Sequence, residues 1–192
     1  MAEVFLSFIH EEEDWTKETN QFIEGVFPDQ IDSFFSSDKN AIYAGDDWMA
    51  RIFDELKQSK VLVSMLSPQS ISRPWINFEA GAAWMRDTKV IPVCFGGLSI
   101  EKLPKPYSSL QAIDLETYEG SFYLVSSIAH HLELPAPKKP IFASDGARLA
   151  LSTTDPEGNA KLFAPYKRLQ AWMRAFKDVT KPPEPGPVTW AS

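Results

Sequence analysis

Short apolar runs alternating with helix-length stretches dominate the first 134 residues of this chain. The runs are VFLSFI (4–9), IDSFF (31–35), VLVSML (61–66), VIPVCF (90–95) and LQAIDL (110–115), each bounded by polar or turn residues. Helix patterns fall between them, over roughly 14–25, 46–59, 73–87 and 120–133. The first, third and fourth runs are almost continuously apolar, as parallel strands covered on both faces are. Regular alternation of strand and helix predicts right-handed βαβ units. The expected fold is therefore α/β: a flavodoxin-like, five-stranded parallel sheet with helices on both faces. Ligands of such sheets bind beyond the carboxyl ends of the strands, where the strand order reverses. That rule directs attention to Phe8–His10, Ser36–Asp47 and Ser67–Glu79.

The pattern changes after Leu134, since nine of the 15 prolines lie in residues 135–192. We read 1–134 as one domain and 135–192 as a Pro-rich extension. A turn at Asp145-Gly146 predicts a hairpin over 141–153. Further on, Leu162, Tyr166, Leu169, Met173 and Phe176 form one apolar stripe, which predicts an amphipathic helix over 164–179. Such a helix packs back on the domain, or meets a partner, a second copy or a membrane surface. KPPEPGPVTWAS reads as a loosely docked or disordered tail.

Charge and composition exclude several function classes. Residues 1–134 carry 10 Lys/Arg against 21 Asp/Glu, a net charge of −11, which does not suit sequence-independent binding of nucleic acid. The extension carries 9 against 5, or +4. One cysteine, Cys94, sits in an apolar run and reads as a buried structural thiol. His10, His130 and His131 are too few and badly spaced for zinc, so no metal is expected. There is no phosphate loop, dinucleotide fingerprint, internal repeat or run of 18 apolar residues, and a cytoplasmic location away from membrane is expected.

The chemistry-bearing residues fall in three segments. In SPQSISRPWINFEAGAAWMRD, Pro74 suits a first helical turn, and Trp75 and Glu79 share a face at i, i+4. A carboxylate followed by Ala80, Gly81, Ala82 and Ala83, small residues that allow close helix–sheet approach, needs a partner or a ligand. The partner could be Arg51, Arg73 or Arg86. In FFSSDKNAIYAGDDWMARI, Asp46 and Asp47 open a helix and complement its dipole, and the preceding loop is placed to gate a ligand. Trp48 there reads as a packing residue. In VFLSFIHEEEDW, the run Glu11–Asp14 reads as a solvated cap, and His10 stands where it can reach a ligand.

In this order and spacing the three segments resemble the TIR (Toll/interleukin-1 receptor) domain family, particularly stand-alone bacterial members, over about residues 3–133. VFLSF, FFSS…AGDDW…I and VLVSMLSPQSISRPWINFE carry the resemblance. Enzymatic TIR domains bear a Trp-x-x-x-Glu pattern, and Trp75 to Glu79 matches it. The resemblance implies that Glu79 is the catalytic carboxylate of an enzyme cleaving NAD⁺, which is substrate rather than cofactor. It places Trp75 near the nicotinamide ribose, Phe8 and His10 in the floor, and Ser36 with the 38–48 loop, including Asp47 and Trp48, over the substrate.

The implied products are nicotinamide with ADP-ribose or a cyclic isomer, the latter a signal for a separate effector in bacterial anti-phage immunity. Self-association through TIR surfaces is implied too. The first helix is longer and more acidic than in many relatives, and the extension has no counterpart in the family. Covering the assembly surface, it would hold the enzyme off. Two other readings stay open: a non-catalytic TIR–TIR assembly module, which has no need of a carboxylate at 79, and an enzyme resembling nucleoside deoxyribosyltransferases.

Overall fold

A computed structural model of the chain describes residues 2–35, 48–137, 141–142 and 149–150. Five parallel strands form the central sheet: β1 (Ala2–Ser7), β2 (Ile31–Phe35), β3 (Val61–Leu66), β4 (Lys89–Cys94) and β5 (Ile113–Asp114). The connecting helices are α1 (Glu13–Val26), α2 (Trp48–Gln58), α3 (Pro74–Trp84) and α4 (Tyr118–His131). Strand order is β2-β1-β3-β4-β5, the doubly wound arrangement expected from the sequence, with its reversal between β1 and β3. In the extension, β6 (Ile141–Phe142) and β7 (Leu149–Ala150) pair antiparallel within the span expected to form a hairpin. The expected helix over 164–179 lies outside the described residues.

Alternation along the strands sorts side chains onto two faces. Val4, Leu6, Val61, Val63 and Met65 meet Trp15, Phe22 and Ile23 of α1 and Leu124, Val125 and Ile128 of α4. On the other face, Phe5 and Leu62 meet Ile52 and Leu56 of α2 and Ala83 of α3. Leu66 and Cys94 join Ile76 and Ala80 of α3. Every residue of β3 is buried, which explains its uninterrupted apolar pattern. Cys94 is buried as expected, and burial pushes its thiol up to about 12, so it stays protonated and inert.

The structure corrects the expectations at three places. The run 110–115 forms strand only at Ile113–Asp114, because a 3-10 turn over Tyr107–Ser109 takes Leu110 as its cap and β5 pairs with β4 alone. Glu11–Asp14 is not a wholly solvated cap: Glu12 is 3% exposed. Close approach of α3 rests on buried Ala80 and Ala83 and not on Gly81, whose missing Cβ would meet open space.

The glycine that packing does require is Gly120 in the first turn of α4. A Cβ there would lie 1.7 Å from the Asp114 carbonyl oxygen, so its absence lets α4 seat on the end of β5. Gly120→Ala is expected to destabilise the full chain by about 3 kcal/mol in denaturant unfolding. Gly81→Ala is expected to be neutral or to stabilise by roughly 0.5–1 kcal/mol, since only helix propensity changes. Equal losses in both variants would contradict this packing account.

Candidate active site

Glu79 lies on the buried stripe of α3 with Ile76, Ala80 and Ala83, at i−3, i+1 and i+4, facing the sheet. Its carboxylate is 0% exposed. The Ser7 hydroxyl, at the end of β1, donates to Glu79 Oε2 at 2.5 Å. Ser7 is paired in register with Ser64 of β3, so the α3-facing side of both central strands carries a serine beneath the helix. Both serines are fully buried.

Tyr107 completes this polar cluster from the loop between β4 and β5. Its hydroxyl donates to the Ile76 carbonyl oxygen at 3.2 Å, and the Ser64 hydroxyl lies 3.2 Å from it. With the tyrosine proton committed to Ile76, Ser64 is the donor in that pair. Burial, and then the negative charge of Glu79, push the Tyr107 hydroxyl above its ordinary range, so it remains a neutral donor. The tyrosine thereby fixes the turn of α3 that carries Glu79.

A second carboxylate stands at the same end of the sheet. The Ser67 hydroxyl, just after β3, donates to Glu12 Oε1, in the turn that leads into α1. Ser67 also caps its own loop, accepting from the backbone N–H groups of Gln69 and Ser70, while its N–H donates to Ser70 Oγ at 2.8 Å. Alongside, Arg73 bonds Glu11 at 3.1 Å. These contacts tie the β1–α1 turn to the β3–α3 loop across the reversal in strand order. Burial pushes the Glu12 carboxyl up to about 7, against the opposing effects of Ser67, Ser70 and Arg73, with Glu11 adding to the rise.

The other expected site residues are dispersed. Trp75 is half-buried and stacks on Phe78 with ring centroids 5.3 Å apart, one turn before Glu79. Phe8 is buried on the α1 side of the sheet, edge-on to Phe35 at 5.9 Å, and so is not grouped with Ser7 and Glu79. His10 is 67% exposed, with Nδ1 3.4 Å from a Glu13 carboxylate oxygen. Ser36 and Asp47 lie outside the described residues, as does the side chain of Trp48, which begins α2. Among the expected alternatives for Glu79, Arg73 bonds Glu11. Ser7, Ser64 and Tyr107 were not anticipated. A serine in each of two otherwise apolar strands was the available sign, whereas nothing local marks Tyr107. Among the described residues no cluster of His, Cys, Asp and Glu could hold a metal ion, and no helix is long and apolar enough to cross a membrane.

Because its carboxyl titrates higher when folded than when unfolded, Glu12 stabilises the fold most below its unfolded value near 4.5. That contribution fades as pH rises through about 7. Glu12→Gln is therefore expected to raise unfolding stability at pH 8, by up to roughly 3 kcal/mol, and to change it little at pH 4.5. An effect of the variant that does not vary with pH would contradict the buried-acid assignment.

The TIR domain family profile matches residues 4–123, and no curated protein sequence matches the chain. Among solved structures, a metazoan TIR-STING receptor from C. gigas is similar at 20% identity and a TM-score of 0.48. That match covers 69% of this chain and 40% of the receptor chain. The TIR domains of the activated Roq1 resistosome, which directly recognizes the pathogen effector XopQ, are similar at 13% identity and a TM-score of 0.41. There 91% of this chain and 84% of the other are covered. With the family profile spanning most of the β1–α4 unit, this chain belongs to the TIR domain family.

Proposed function

We propose that this TIR domain is an enzyme that cleaves the N-glycosidic bond between nicotinamide and ribose in NAD⁺, with Glu79 as its catalytic carboxylate. The observation that carries this reading is the complete burial of Glu79, held by Ser7 at the β1/β3 reversal, in the Trp75-x-x-x-Glu79 pattern. A carboxylate in that position suits a reaction that builds positive charge on a sugar. As the C1′–N bond breaks, its electron pair leaves with the nicotinamide nitrogen, and an oxocarbenium-like ribose remains. Glu79 offsets that charge in a site sheltered from water, and the Ser7 hydroxyl fixes which way its oxygens point.

Nicotinamide is cationic in NAD⁺ and departs neutral, so no strong general acid is required. Water attacking C1′ gives ADP-ribose and releases one proton. An adenine nitrogen attacking instead gives a cyclic isomer, and another acceptor gives transfer. NAD⁺ is the substrate in this scheme, and no further cofactor enters it. Trp75 would flank the ribose, and His10, Ser36, Asp47 and Trp48 would complete the substrate pocket, with Phe8 buried on the α1 side of the sheet.

The proposal includes self-association, for which Phe78 and Met85, exposed at 44% and 88%, offer apolar surface on and just after α3. Resemblance to stand-alone bacterial members extends it to a cytoplasmic role in anti-phage immunity, with a nucleotide product acting on a separate effector. The unit responsible is 1–134, with 135–192 as an appended segment.

The test is NAD⁺ consumption by the purified chain at high concentration, wild type beside Glu79→Ala, with products resolved by mass spectrometry. Nicotinamide release is expected from the wild type, reduced at least about a hundredfold in the variant. Equal release from both would remove Glu79 from this role. Silence from both, even under enforced clustering, would favour an assembly module.

A further inference from the structure

At the amino ends of the strands, opposite the end where Ser7 meets Glu79, the surface holds a depression with two compartments. The larger, about 300 Å³, is lined by Lys57, Lys60, Arg86, Lys89 and His131, with Asp87 the acid among them. The smaller, about 210 Å³, is lined by Trp84, Val90 and Leu110 and shares Asp87, Lys89 and His131 with its neighbour. One compartment is thus cationic, and the other presents an aromatic and two aliphatic side chains.

The concentration of charge is the unusual feature. Residues 1–134 carry a net charge of −11, yet four of their ten Lys/Arg side chains line this one cavity. Lys57 is paired with Asp54 at 2.7 Å, while Lys60, Arg86 and Lys89 are exposed and make no ion pair among the described residues. The same crowding is felt at His131, whose imidazole is held below its ordinary range by burial, then by His130 and Lys89. Like charges gathered in this way repel one another, and a multivalent anion relieves that repulsion. Lys and Arg together suit phosphate oxygens, Arg as a planar fork and Lys as a mobile point charge. Beside them Trp84 is 50% exposed, an accessible aromatic face of the kind on which bases stack.

We propose that this depression binds a nucleoside polyphosphate, its phosphates among Lys57, Lys60, Arg86 and Lys89 and its base against Trp84. It is distinct from the Glu79 site. Lys60 immediately precedes β3 and Ser67 immediately follows it, a separation of roughly 20 Å along an extended strand. Helix α3 spans the two, with Glu79 mid-helix and Trp84 its last residue. A nucleotide bound here would contact the helix that carries the candidate catalytic carboxylate without occupying its site.

Calorimetric titration of the full chain at low ionic strength tests the proposal, with ATP and inorganic tripolyphosphate as probes. The variants are Lys60→Glu/Arg86→Glu, Trp84→Ala and Glu79→Gln. The first two alter exposed side chains only, and circular dichroism verifies that they fold. Wild type and Glu79→Gln are expected to bind both probes. Charge reversal is expected to weaken both at least about tenfold, and Trp84→Ala to weaken ATP alone by about tenfold. No binding of either probe at millimolar concentration overturns the proposal. So does ATP binding that survives charge reversal but is lost in Glu79→Gln, which would place the nucleotide at Glu79. Equal weakening of both probes by Trp84→Ala overturns the assignment of the base to Trp84.

Discussion

A carboxylate removed from water holds its place only where neighbouring groups compensate for its lost solvation, and Glu79 imposes that demand on the centre of this fold. The response is a polar notch cut into an apolar face. Val4–Leu6 of β1 and the rest of β3 are Val, Leu, Phe and Met, yet each strand carries one serine on the α3 side, and the two are neighbours in register. Ser7 donates to the carboxylate, and Ser64 with Tyr107 anchors the helical turn above it. Replacing this arrangement with hydrocarbon would give a better-packed sheet and no reason for a glutamate on the buried stripe of α3. The position invites a functional reading because a buried carboxylate with polar partners at a strand-order reversal is where a ligand can be met.

The same end of the sheet is braced from outside the notch. Glu12 and Ser67 join the turns that follow β1 and β3, and Glu11 with Arg73 repeats the link nearer the surface. An exposed ion pair such as Glu11–Arg73 contributes little by itself. The buried pair does more, since a hydroxyl bonded to a shielded carboxyl fixes the geometry of both turns. Ser67 is the pivot: its hydroxyl bonds Glu12 while accepting from two backbone N–H groups of the loop into α3. The two turns that flank the strand-order reversal are therefore held rigid relative to one another. Substrate cleavage through a charged sugar requires such fixed geometry more than it requires a strong acid.

Most of the sheet was legible because burial on both faces leaves a continuous apolar record, as in VLVSML and VIPVCF. Helix positions followed from the same alternation, and Glu79 stood out as a charge within small residues. What failed to show had physical causes. Glu12 is one acid in a run of four, and only the 3-10 turn over His10–Glu12 rotates it inward while its neighbours stay wet. Tyr107 reaches the site through a loop 31 residues from Ile76, a distance no local pattern spans. Phe8 follows β1, and continued alternation puts its side chain on the α1 side of the sheet. LQAIDL looked like a full strand, although the 3-10 turn over Tyr107–Ser109 takes Leu110 as its cap and only Ile113 and Asp114 pair with β4. The serines at 7 and 64 were visible throughout, and their meaning emerged only once register set them side by side.

The account centres on Glu79 as the group that meets the nicotinamide ribose. The most direct measurement is a crystal structure of Glu79→Gln soaked with NAD⁺, whose bond the variant should leave intact. We predict the ribose carbon bearing nicotinamide in van der Waals contact with residue 79, at the carboxyl ends of β1 and β3. NAD⁺ seated at the opposite edge of the sheet, with residue 79 still sealed against Ser7 and far from any ribose, would contradict it.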